Sequence, residues 1–119
     1  MRKFMILLLF LPFFVFAQNR NKDEASQLID SLRKKVLDGD NFSVLAALYS
    51  EDPGSAKQGG QLPPFFRGQM VPEFENAAYK LKVGEVSEVF ETRFGFHFLQ
   101  VTGREDEKIS ARHILISFK

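Results

Sequence analysis

The last quarter of the chain limits its fold more than any other stretch. Two alternating runs, "FGFHFLQVT" and "ISARHILISF", flank the polar segment "GREDEK". Alternation with a period of two marks strands with one buried face, and a short polar turn between two such runs predicts an antiparallel hairpin. In the first run His97, Leu99 and Val101 share a side. In the second, Ala111, His113 and Leu115 share one. A hairpin centred near Glu105 would set Val101 opposite Ile109, Leu99 opposite Ala111 and His97 opposite His113. The chain has two histidines in all, and this pairing makes them neighbours on one sheet face. A two-residue slip preserves that; a one-residue slip of one strand does not.

The other end is of a different kind. "MRKFMILLLFLPFFVFAQ" carries two basic residues, an apolar run from Phe4 to Ala17 and a small residue before Gln18. This is the pattern of a secretory signal peptide cleaved after Ala17, and the run is shorter than the ~20 residues that span a bilayer. Of the sixteen Lys and Arg, Arg2 and Lys3 fall in this leader, so the remainder is close to neutral, near −1. No basic excess points to a nucleic-acid partner. With no cysteine, neither a disulfide framework nor a cysteine-linked lipid anchor is available. Residues 18–119 suffice for one domain with one ordinary core.

Between the two ends, Ala25, Leu28, Ile29, Leu32 and Val36 recur at helical spacing, with Gly39 as a C-terminal stop. Asp40 is placed to cap a second helix through Phe42, Leu45, Ala46 and Leu48. "SEDPGSAKQGGQLPPFFRG" holds three of the five prolines and four of the eight glycines. It reads as loop, with at most a short strand around residues 62–66. A third helix starts near Pro72 and buries Phe74, Ala77, Ala78 and Leu81. "EVSEVFET" then reads as a short strand.

A single histidine in a strand is usually a core residue. A facing pair beside an acidic, glycine-rich loop points instead to a site. Neither HxH nor HExxH spacing occurs and cysteine is absent, so no metal is expected.

The stretches "FSVLAALYSEDPGSAKQGGQL" and "FFRGQMVPEFENAAYKLKVGEVSEVFETRFGFHFLQV" resemble the parvulin-type peptidyl-prolyl isomerases. So does "ARHILI", which in that family is the first strand, ahead of the first helix. The resemblance implies an α+β, parvulin-like (FKBP-like) fold, with a four-stranded antiparallel sheet packed by three to four helices. Residues 108–119 are then the family's first strand displaced to the C-terminus, as in a circular permutation, or the opening of a second domain in a SurA-like tandem protein. The implied activity is cis–trans isomerisation of X–Pro bonds in unfolded or extended proline-containing polypeptides, without a cofactor, in a periplasmic or secreted folding factor. His97, His113, Asp52 and Thr92 are the implied catalytic network. Leu62, Met70 and Phe74 are the implied proline pocket, and Phe94 an added apolar wall. The alternatives are a non-catalytic parvulin-fold chaperone that holds extended chains, or a fragment of a longer tandem isomerase. Pro63 and Pro64 depart from the family pattern, which usually has a glycine there.

Overall fold

The computed structural model describes residues 19–119; the leader lies outside them. Helix α1 spans Lys22–Leu37, α2 Phe42–Tyr49 and α3 Pro72–Tyr79. Strands β1 (Phe90–Thr92), β2 (Gly95–Glu105) and β3 (Lys108–Ile116) follow. Among the described residues no helix is long and apolar enough to cross a membrane.

The helix ends follow local chemistry. Asn21 caps α1 in a capping box with Glu24: the Asn21 side chain accepts from Glu24 N, and Glu24 accepts from Asn21 N. Helix α2 is capped by Asn41, which accepts from Val44 N at 3.0 Å, and not by the expected Asp40, one residue too early to reach the first free amides. At the end of α1 the C-cap is Asp38 and Gly39 follows at φ +109°, the left-handed position that suits glycine. Pro72 opens α3, where its missing N–H costs nothing.

The sheet runs β1-β2-β3, antiparallel throughout. Its hairpin forms, but two residues out of the expected register: Val101 faces Ala111, Leu99 faces His113 and His97 faces Leu115. Two local features produce this. The turn lies at Asp106–Glu107, with Asp106 at φ 57°, which an aspartate tolerates. That moves the pairing by three. A β-bulge between Val101 and Gly103 then takes back one. Without the bulge every β3 side chain would change face, and His113 would leave the side of His97.

One sheet face, with Phe98, Ile114 and Ile116, packs on Ala25, Ile29 and Leu32 of α1 and Phe42, Leu45 and Ala46 of α2. The other, with Leu99, Val101, Ile109 and Ala111, packs on Phe65 and on Phe74, Ala77 and Ala78 of α3. The expected four-stranded sheet has three strands among the described residues. Where the fourth was expected, residues 61–65 flank β3 through isolated bridges at Gln61–Arg112 and Phe65–Ile109. Leu62 N and Phe65 N donate to Ala111 O and Ile109 O. Pro63 and Pro64, between them, have no N–H to donate, so the ladder cannot become continuous.

Candidate active site

The register brings together four polar side chains from separate elements. His97 comes from β2, His113 from β3, Thr92 from the end of β1, and Asp52 from the loop after α2. That loop is pinned to β3: Glu51 N donates to Leu115 O at 2.7 Å, and Ser50 Oγ accepts from Leu115 N at 3.1 Å. Within it, Asp52 Oδ1 accepts from Gly54 N and Asp52 Oδ2 from Ser55 Oγ at 2.6 Å, an Asx-type turn that holds the carboxylate still.

The four residues form one chain of contacts. Asp52 Oδ2 lies 2.8 Å from His113 Nε2, His113 Nδ1 lies 3.3 Å from His97 Nδ1, and His97 Nε2 lies 2.7 Å from Thr92 Oγ1. Phe94 N donates to Thr92 Oγ1 at 3.1 Å. Both imidazoles are buried. Burial, and then the neighbouring His113, push the pKa of His97 down to about 4 against the opposing pull of Asp52. Burial also lowers His113, more than its hydrogen bond to Asp52 raises it. Burial raises the Asp52 carboxyl, but hydrogen bonds from Ser55 and His113 outweigh it and leave the group below its ordinary value.

Near pH 7 the acid is therefore ionised and both rings are neutral, which fixes every proton. An ionised Asp52 only accepts, so His113 carries its proton on Nε2. His113 Nδ1 then accepts from His97 Nδ1–H, and His97 Nε2 accepts the Thr92 hydroxyl proton. The chain runs one way, from Phe94 N–H to Asp52. Nitrogen-15 shifts of the two side chains test it. His97 is expected as the Nδ1–H tautomer and His113 as Nε2–H; the opposite pattern, or one shared tautomer, would refute the assignment.

Around this chain stands an aromatic cage. Phe90 stacks on His97 with centroids 5.2 Å apart, and Phe74 meets His113 edge-on at 5.4 Å and His97 at 6.1 Å. In front of it opens a cleft of about 560 Å³, the size range of peptide-sized and small-molecule sites. Leu62, Met70, Phe74 and Phe94 line it with Asp52, His97 and His113. Met70 is set by its N–H, which donates to Glu75 of α3 at 3.1 Å. Thr92 sits behind His97, buried, and does not line the cleft. All eight residues singled out in the sequence thus gather in one region.

Sequence reasoning missed Ser55 and Phe90. The first was legible, since an aspartate three residues before a serine in a Pro-Gly turn is a recurrent Asx arrangement. The second depends on the register that pairs Phe90 with His97, which no local pattern gives. Among the described residues no group of three or more His, Cys, Asp and Glu is gathered as for a metal ion.

Comparison with known proteins bears on this arrangement. The profile of the PPIC-type PPIase domain matches residues 5–105, most of the chain. The chain belongs to the PPIC-type peptidyl-prolyl isomerase family. A foldase protein PrsA from Geobacillus sp. (strain WCH70) is 48% identical over 87 residues, 73% of this chain and 31% of that protein. A chaperone SurA from Chromohalobacter salexigens is 40% identical over 92 residues, 77% of this chain and 21% of that protein. The crystal structure of a peptidylprolyl isomerase (PrsA) from Bacillus cereus superposes with a TM-score of 0.67 at 39% identity. It covers 76% of this chain and 33% of that one. The parvulin-like α+β fold is therefore that of the family, and the chain spans about a third or less of the length of these relatives. The family match ends at residue 105, short of β3, which supplies His113.

Proposed function

We propose that the protein is a peptidyl-prolyl cis–trans isomerase that acts on extended, proline-containing segments of exported polypeptides. Residues 18–119 would act as one parvulin-like domain, with 108–119 completing its sheet within the same chain. Residues 1–17 would be a signal peptide, and the site of action a periplasm or the cell exterior. The barrier to turning an X–Pro amide is ~18–20 kcal/mol because twisting breaks the conjugation of the C–N bond. Lowering it requires an environment that favours the twisted, less dipolar amide over the planar one.

The observation that carries the reading is that all four ring nitrogens of His97 and His113 are bonded within the protein. A polar cluster so satisfied presents ring carbons to the cleft, not a free base. It suits a rotation that needs no proton transfer and no covalent intermediate. Leu62, Met70, Phe74 and Phe94 would grip the pyrrolidine ring and exclude water. Asp52, held in place by Ser55, Gly54 and His113, would set a negative charge where the carbonyl oxygen of a planar amide is disfavoured. Thr92 would hold His97 in its acceptor tautomer.

Exchange spectroscopy on an Ala-Ala-Pro-Phe peptide tests this. The protein is expected to accelerate cis–trans exchange, which is uncatalysed on the scale of tens of seconds. The Asp52→Ala variant is expected to lose about tenfold or more of that acceleration. Peptide-induced shifts at the cleft without any acceleration would leave a holding role and remove the enzyme.

A further inference from the structure

The cleft is electrically lopsided. Glu51, Asp52 and Arg93 are the ionised residues that line it. Both carboxylates are already engaged. Glu51 Oε1 accepts from Arg20 Nη1 at 3.0 Å and from the amide and hydroxyl of Ser117 at 2.7 and 2.9 Å. Asp52 is held by His113, Ser55 and Gly54. The Arg93 guanidinium has no hydrogen bond or ion pair among the described residues. Its neighbour Glu91 is turned to Lys22 at 3.3 Å. What steadies Arg93 is the ring of Phe94, 4.9 Å below it, a cation–π contact that leaves the N–H fork free.

Asp52, bonded only to neutral groups near pH 7, and Arg93 are the two charges of the cleft without an ionised partner, and they stand apart. Asp52 ends the hydrogen-bond chain on one side, and Thr92, the residue before Arg93, ends it on the other. The proposed proline pocket therefore has an anionic end and a cationic end. A carboxylate of the bound peptide meets repulsion at Asp52 and a planar two-pronged donor at Arg93.

We infer that Arg93 is a specificity-determining residue, and that the cleft prefers X–Pro segments in which X is aspartate or glutamate. The inference rests on the isomerase reading for its choice of an X–Pro ligand. The charge selection itself needs only that an extended peptide enter the cleft. Since Arg93 is exposed, the pairing is screened by salt and modest in size.

The test titrates the nitrogen-15-labelled protein with Ala-Glu-Pro-Phe and Ala-Lys-Pro-Phe at low and at high salt. Shifts report affinity, and exchange spectroscopy on the same samples reports turnover. The Glu-Pro peptide is expected to bind about fivefold more tightly than the Lys-Pro peptide at low salt, with the ratio shrinking as salt rises. Arg93→Gln should bring the ratio close to one, and Arg93→Glu should invert it. Because each variant is read as a ratio, a general loss of affinity does not imitate the result. Equal affinities in the unmodified protein, or a preference that survives Arg93→Gln, would overturn the assignment. A preference without any accelerated exchange would uphold Arg93 and sink the isomerase reading alone.

Discussion

Valine in place of Gly60 is expected to destabilise the protein by at least ~3 kcal/mol, out of a total of ~5–15 for a domain of this size. Gly60 sits at φ +84°, and a Cβ there would lie 2.4 Å from His113 O and 3.2 Å from His113 N. Those atoms belong to the backbone of β3, so no rotamer change relieves the overlap. Gly60 O also accepts from His113 N at 3.0 Å, so displacing this residue frees the strand that carries the histidine. Gly68 supplies the comparison. Its φ is +91°, but a Cβ there meets nothing within 4 Å, so Gly68→Val should cost only the conformational strain, ~1–3 kcal/mol. Denaturant unfolding of the two variants separates crowding from strain. If they lose equal stability, the close approach of the loop to β3 is not what holds Gly60.

The second large effect is acid lability. His97 has a pKa of about 4 in the folded protein and an ordinary value near 6.5 when unfolded. Above pH 6.5 neither state binds the proton, and the group does not influence folding. As the pH falls through 6.5 the unfolded chain takes up a proton that the folded chain refuses, and the folded state loses stability until the pH reaches about 4. The full loss across that window is about 3 kcal/mol. His113, lowered in the same direction, adds to it. Asp52, whose pKa is below its ordinary value, adds a further loss at lower pH, as the carboxylate is protonated. Unfolding free energies at pH 7 and pH 4.5 should therefore differ, and a His97→Leu variant should show a shallower slope between them. A slope unchanged by that substitution would mean that His97 titrates normally in the folded protein.

Much of this architecture was legible because it is written in periodicity and in residue chemistry. The α1 stripe from Ala25 to Val36, the start of α3 at Pro72 and the two alternating strands required no tertiary information. The histidine pair was legible in part: both stand at odd positions, so any register displaced by an even number of residues keeps His97 and His113 on one face. What escaped was whatever depends on counting across a turn. Nothing local distinguishes Glu105 from Asp106–Glu107 as the centre of the hairpin. Nor does it mark Thr102, between Val101 and Gly103, as the site of a bulge. The turn moves the pairing by three and the bulge takes back one, so the net displacement is even and the site survived a wrong register. The choice of Asn41 over Asp40 as a cap was a matter of one residue, where either side chain has the right chemistry.

The paired prolines beside β3 have a wider consequence. A sheet edge with a free row of N–H and C=O groups is a template on which other extended chains add themselves. Under the proposed function the protein would meet such chains constantly. Pro63 and Pro64, both exposed, lie on the segment that flanks β3 and cannot donate, so the rim of the sheet is poorly suited to strand addition. The same pair that keeps the fourth strand from forming thus directs an arriving chain away from the backbone of the protein. It leaves the side-chain cleft as the place to bind and, under the proposed function, would guard the domain against co-aggregating with the chains it acts on.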